Sequence, residues 1–118
     1  MNTFYTLPIR TVSEANISEH WGSRSRRASE QRLVARVITA HRISNAALPM
    51  TITMKRIGPK RMDDDNLARS LKAVRDGIAD ALGADDGDPR LTWRYEQDSQ
   101  GFAEYSVIVF IEEHGRSA

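Results

Sequence analysis

The chain has no cysteine. That excludes a disulfide framework, a thiolate zinc site and a cysteine nucleophile, and it agrees with a reducing cytoplasm. No run of eighteen apolar residues is available to span a bilayer. The opening MNTFYTLPIR lacks the basic start and apolar centre of a signal segment. A cytoplasmic location with no membrane partner is therefore expected. His20, His41 and His114 show neither metal-ligand spacing nor a Ser or Cys partner pattern. There is no internal repeat, and 118 residues leave room for one domain, residues 1–118.

What is present is charge, unevenly placed. The net charge of +1 hides eleven Lys or Arg against three Glu in residues 1–61, a charge of +8 that leaves −7 for the remainder. A basic surface for a polyanion beside an acidic pocket for a cation is what a nucleic-acid phosphodiesterase requires. Solvated helix faces produce the same asymmetry, so charge by itself does not decide.

Strand and helix signals alternate along the chain. Residues 1–10 read as a strand that Pro8 confines to an edge or ends early. Residues 11–28 hold no sustained period and read as a long basic loop. Ser29 and Glu30 open a helix with Leu33, Val34, Val37 and Ile38 on its apolar face, ending near Asn45. Residues 49–57 alternate as a strand that runs into the Gly58-Pro59 turn.

A second helix follows from Asn66, with Leu67, Leu71, Val74, Ile78 and Leu82 at helical spacing and Gly83 as its stop. Residues 90–97 and 103–112 read as two further strands, the last apolar enough to be central. Asp98 to Gly101 reads as the hairpin turn between them. The expected order is β-α-β-α-β-β, with helices on one face of a small mixed or antiparallel sheet: an α+β, two-layer domain with a frayed tail at residues 115–118.

The chemistry concentrates in residues 61–88. Asp63-Asp64-Asp65 stands at the strand-to-helix junction, and Asp85-Asp86 follows the end of that helix. A hard divalent cation takes carboxylate oxygens from separated parts of a chain, and a helix turned back on a loop brings these two groups together. Asp64 or Asp65 serves equally as a helix N-cap, and Asp85-Asp86-Gly87-Asp88 equally as a polar turn. Three carboxylates in a row exceed what a cap needs.

Taken together, Asp63-x-Asp65-Asn66, Lys72-x-x-x-Asp76 and Asp85-Asp86 resemble the RusA family of Holliday-junction resolvases, whose hallmark is D-x-D-N, a helical lysine, an aspartate one turn on and a closing D-D. The resemblance covers residues 61–91 well and residues 11–28 only loosely. It implies a small homodimer that cuts four-way DNA junctions with magnesium or manganese. By that resemblance Asp63, Asp65 and Asp86 bind the metal, Lys72 is the catalytic lysine, and Asp76 supports it.

In the best-known members the lysine comes four residues after the second aspartate; here that place holds Arg69, and Lys72 lies seven residues on. On a helix, four residues turn about 40° past one revolution and seven fall about 20° short of two, so both point to a similar face, about 4.5 Å apart along the axis. We read Lys72 as the functional residue after a one-turn insertion, with Arg69 as its substitute.

Arg24, Arg26, Arg27, Lys60, Arg61 and Arg69 are the expected DNA contacts. The expected function is a metal-dependent, structure-selective endodeoxyribonuclease leaving 5′-phosphate and 3′-hydroxyl ends. A junction-binding module of the same fold with weak or lost nuclease activity is the alternative. A D-x-D glycosyltransferase does not fit, because the chain lacks room for a nucleotide-binding half.

Overall fold

A computed structural model describes residues 2–12, 21–43, 47–99, 101 and 104–114. These residues form β1 (Asn2–Leu7), α1 (Trp21–Arg42), β2 (Met50–Ile57), α2 (Asp64–Ser70), α3 (Lys72–Leu82), β3 (Leu91–Asp98) and β4 (Ser106–Glu113). The strands make one mixed sheet in the order β1-β4-β2-β3. β4 runs antiparallel to both β1 and β2, and β2 runs parallel to β3.

The most apolar strand takes an interior place. Val107, Val109 and Ile111 of β4 are buried, and Val109 and Ile111 lie opposite Met54 and Ile52 of β2. β1 is an edge strand that ends just before Pro8, which has no N–H to extend a ladder. Leu67, Leu71, Val74 and Ile78 from α2 and α3 close over the same face of the sheet and complete one core. A small α+β domain results, with its helices packed on a four-stranded mixed sheet.

Four expectations are corrected. First, the hairpin between the last two strands does not form: β3 pairs in parallel with β2 across a helical crossover, and β4 inserts between β1 and β2. A run of Val and Ile gains more from a place between two strands, with one face in the core, than from an edge.

Second, α1 begins at Trp21, so residues 21–28 are helical rather than the end of a loop. Arg and Ala are good helix formers even where no apolar period marks them. Residues 13–20 of the expected loop and the tail at 115–118 lie outside the described residues.

Third, only part of the apolar face expected for α1 turns inward: Val34 and Ile38 pack against the core. Leu33 and Val37 are exposed, while Ala35 and Thr39 are buried. The reason lies on α3, where a Cβ at Gly77 would stand 2.3 Å from the Arg32 carbonyl oxygen and 2.8 Å from Ala35 Cβ. Helices this close admit only small side chains at the crossing. The Arg32 guanidinium then pairs with Asp80 at 2.7 and 3.0 Å across the same contact.

Fourth, the helix after the acidic tripeptide is broken. α2 ends at Ser70, Leu71 sits between the helices at φ −103° and ψ 3°, and α3 starts at Lys72. The Leu71 N–H bonds the Ala68 carbonyl, a three-residue spacing, and Ser70 Oγ donates back to the Leu67 carbonyl at 2.8 Å. A hydroxyl bonded into its own turn competes with the helical ladder and bends it. The rotation computed for a continuous helix therefore does not carry through to Lys72.

Candidate functional site

The acidic tripeptide follows the β2 exit, and its first member, rather than Asp64 or Asp65, is the cap. Asp63 holds an extended backbone (φ −71°, ψ 167°), and its Oδ1 accepts from the Asn66 N–H at 2.9 Å. Its Oδ2 accepts from Asn66 Nδ2 at 3.1 Å. Asp and Asn three residues apart thus fix each other, which gives the D-x-D-N pattern a local physical role. Asp64 and Asp65 occupy the first turn, exposed, where the helix dipole favours negative charge.

Gly83, at φ 69°, terminates α3 in the left-handed conformation, and the chain turns back along the helix. Asp85 and Asp88 build that turn. The Asp88 N–H bonds the Asp85 carbonyl at 2.9 Å, and Asp88 grips the Arg90 guanidinium at 2.7 and 3.1 Å, which holds its carboxyl down at about 2.

Asp86 faces the helix instead. Lys72 Nζ donates to Asp76 Oδ1 at 2.7 Å and to Asp86 Oδ2 at 2.9 Å. Arg75 Nε lies 3.2 Å from the same Asp86 oxygen. The main-chain carbonyl of Asp86 accepts from Arg75 Nη2 and from Trp93 Nε1. Hydrogen bonding from Lys72 holds the Asp86 carboxyl below its ordinary range, and hydrogen bonding from Asp76 and then Asp86 raises the Lys72 ammonium. Both groups stay charged at neutral pH.

Lys72 also lines a cleft of about 460 Å³ between the start of α1 and the α2–α3 junction. Arg24 and Arg32 reach it from α1, Arg69 and Ser70 from α2, and Asp76 from α3. Three of the expected functional cations, Arg24, Arg69 and Lys72, are thereby gathered in one place. Lys60 and Arg61 belong to a second cavity, with Asp63 and Asn66. Arg26 donates to Ser23 on the exposed surface of α1, and Arg27 lies near Pro8 and Ile9.

Among the described residues, no three His, Cys, Asp or Glu side chains are gathered as a metal-holding group. Asp63 and Asp65 stand at one end of α2, while Asp86 is held by Lys72 and Arg75 on α3. The donor set still has the character a hard cation requires, all oxygen.

Two contributors escaped the reading of the sequence. Arg75 lies over the Trp93 ring at 4.8 Å, donates to Tyr95 Oη at 2.8 Å and orients Asp86. Its signal was the three-residue spacing from Lys72, which sets both cations beside the same loop. Arg56 was visible as a charged residue in the otherwise apolar row Met50, Ile52, Met54 of β2.

No protein-family model matches the chain, and no curated protein does. Among solved structures, a 2C-methyl-D-erythritol 2,4-cyclodiphosphate synthase from Plasmodium vivax aligns at a TM-score of 0.33 and 14% identity, over 75% of this chain. The aligned part is 57% of that protein's chain.

Proposed function

We propose that the protein is a metal-dependent, structure-selective endodeoxyribonuclease that resolves four-way DNA junctions as a homodimer. The observation that carries this reading is the placement of Lys72. It bridges Asp76 and Asp86 at the mouth of a cleft that also holds Arg24 and Arg69. A pure surface lysine has no need of two carboxylate partners from different segments.

On this reading Asp63, Asp65 and Asp86 hold magnesium or manganese, which when bound supplies Lewis-acid stabilisation of a phosphate and activation of water. The chain's own groups do the rest. Asp63 is pre-oriented by Asn66, and Asp86 is kept ionised by Lys72. The Lys72 ammonium, fixed at the start of α3, neutralises a nonbridging oxygen of the scissile phosphate, where charge develops during attack. Asp76 holds that ammonium in place from one turn away. Arg24 and Arg69 take flanking phosphates in the cleft, and Arg26, Arg27, Lys60 and Arg61 extend the basic track. Two related sites in a dimer place paired nicks across a twofold-symmetric junction.

The second reading is a junction-binding module of the same fold. It is favoured by the pairing of Asp86 with Lys72 and Arg75 rather than with Asp63 and Asp65.

A synthetic four-way junction with labelled arms, incubated with magnesium or with chelator, separates the two. Paired nicks with 5′-phosphate ends in magnesium alone support the nuclease; junction binding without nicks in either condition supports the module.

A further inference from the structure

Arg56 is only 2% exposed. It continues the buried row of β2, and a guanidinium taken from water is costly unless its charge is met. Its partners among the described residues are neutral. Nε donates to Thr11 Oγ1 at 2.8 Å, and Nη1 donates to the Lys60 main-chain carbonyl at 2.6 Å. Among the described residues no carboxylate pairs with it, and burial lowers its affinity for its proton, an effect that Tyr105 opposes only in part.

The surroundings add positive charge. Arg56 lines a cavity of about 400 Å³ with Arg10, Lys60 and Arg61. The Arg10 and Arg56 guanidinium carbons both lie over the Tyr105 ring, at 4.8 and 5.9 Å. Among the described residues Asp63 is the one carboxylate in the lining, and both its oxygens are engaged by Asn66. Gly58 keeps the space open: a Cβ there would stand 2.8 Å from Arg56 Nη2 and 3.2 Å from Tyr105 Cδ1.

We infer that this cavity binds a phosphate ester, with Arg56 as the fixed guanidinium at its base and Arg10, Lys60 and Arg61 as the cations around it. A guanidinium has five N–H donors in a planar fork suited to phosphate oxygens, and among the described residues two neutral acceptors leave its charge unmet. The same chemistry serves an internal phosphodiester of a nucleic-acid strand or a terminal phosphomonoester. That the carrier is DNA rests on the nuclease reading; the phosphate pocket does not.

The test is thermal denaturation and ³¹P NMR titration of the full chain without metal, with inorganic phosphate against chloride at equal ionic strength. Thymidine 5′-phosphate and a thymidine dinucleoside phosphodiester serve as further probes. A saturable rise in melting temperature with phosphate is expected. Arg10→Gln and Lys60→Gln, which alter exposed side chains and keep the Lys60 carbonyl, each weaken phosphate at least tenfold, and Arg56→Met abolishes the rise.

Whichever of the two esters binds more tightly identifies the carrier, and either order supports the pocket. A response no larger than that to chloride, or an equal response in Arg10→Gln and Lys60→Gln, overturns it. Because Asp65→Asn leaves phosphate binding intact on this account, failure of the pocket and failure of the nuclease reading are seen separately.

Discussion

Lys72 and Asp86 are fourteen residues apart in the chain and 2.9 Å apart in space, Nζ to Oδ2. Asp76 takes the same ammonium at 2.7 Å. A loop that must return along a helix is pinned at its acidic residue by the helix's first side chain. The pair is partly exposed, so its worth to stability is modest. Its consequence is positional: one ammonium is held in a defined place at the mouth of a basic cleft.

That placement separates Lys72 from Arg69. Both line the cleft, but Arg69 belongs to α2 and Lys72 to α3, with the break at Leu71 between them. Lys72→Ala is expected to lower junction cleavage by about 10²–10³-fold, the scale for removing one charge-stabilising donor, with junction affinity changed far less. Arg69→Ala is expected to weaken junction binding and to reduce its salt dependence by about one phosphate contact. Single-turnover cleavage rates and binding isotherms for the two variants check this, and a larger loss of rate in Arg69→Ala contradicts it.

Gly77 sets the distance between α1 and α3. Alanine gains about 0.8–1 kcal/mol over glycine in a helix interior. The added methyl would stand 2.3 Å from the backbone oxygen of Arg32, which has no flexible end to yield. Overpacking costs about 1–3 kcal/mol, and here the upper end applies. Gly77→Ala should lose about 2 kcal/mol net, seen as a lower urea midpoint at unchanged slope.

Tyr5 carries an alkaline limit. Its hydroxyl bonds Thr39 Oγ1 at 2.7 Å inside the β1–α1 contact, and burial pushes its pKa from 10.0 to about 12. The folded value exceeds the unfolded one, so this contribution is complete below pH 10 and is lost as pH rises towards 12. A two-unit shift corresponds to roughly 2–3 kcal/mol. Tyr5→Phe should cost about 1 kcal/mol at pH 8 and then flatten the decline between pH 10 and 12. Equilibrium denaturation of both proteins across that range gives the comparison.

Much of this architecture is legible in the sequence because it rests on periodicity. Leu67, Leu71, Val74 and Ile78 fall at helical spacing, and all four are buried. Pro8 announces an edge strand, and Val107, Val109 and Ile111 a central one. What periodicity misses is set by contacts between distant segments. The solvent-facing Leu33 and Val37 follow from Gly77, on another helix. The parallel pairing of β3 follows from the helical crossover before it, which the short connection from β3 to β4 conceals.

At the site, the D-x-D-N spacing makes Asp63 and Asn66 partners, and K-x-x-x-D makes Lys72 and Asp76 partners, as spacing alone requires. The joining of Lys72 to Asp86 depends instead on how Gly83 turns the chain, and no local pattern fixes that angle.

The central claim is that Asp65 works with Lys72 to cut a junction rather than to hold one. Asp65 is exposed in the first turn of α2, so replacing it with asparagine removes a charge without opening the core. The deciding measurement compares parent and Asp65→Asn on one four-way junction in magnesium, following nicking and binding together. The account predicts paired nicks by the parent, at least a hundredfold slower nicking by Asp65→Asn, and junction affinity equal or higher in the variant. Equal nicking by the two proteins, or binding by the parent with no nicks at neutral to alkaline pH, contradicts it.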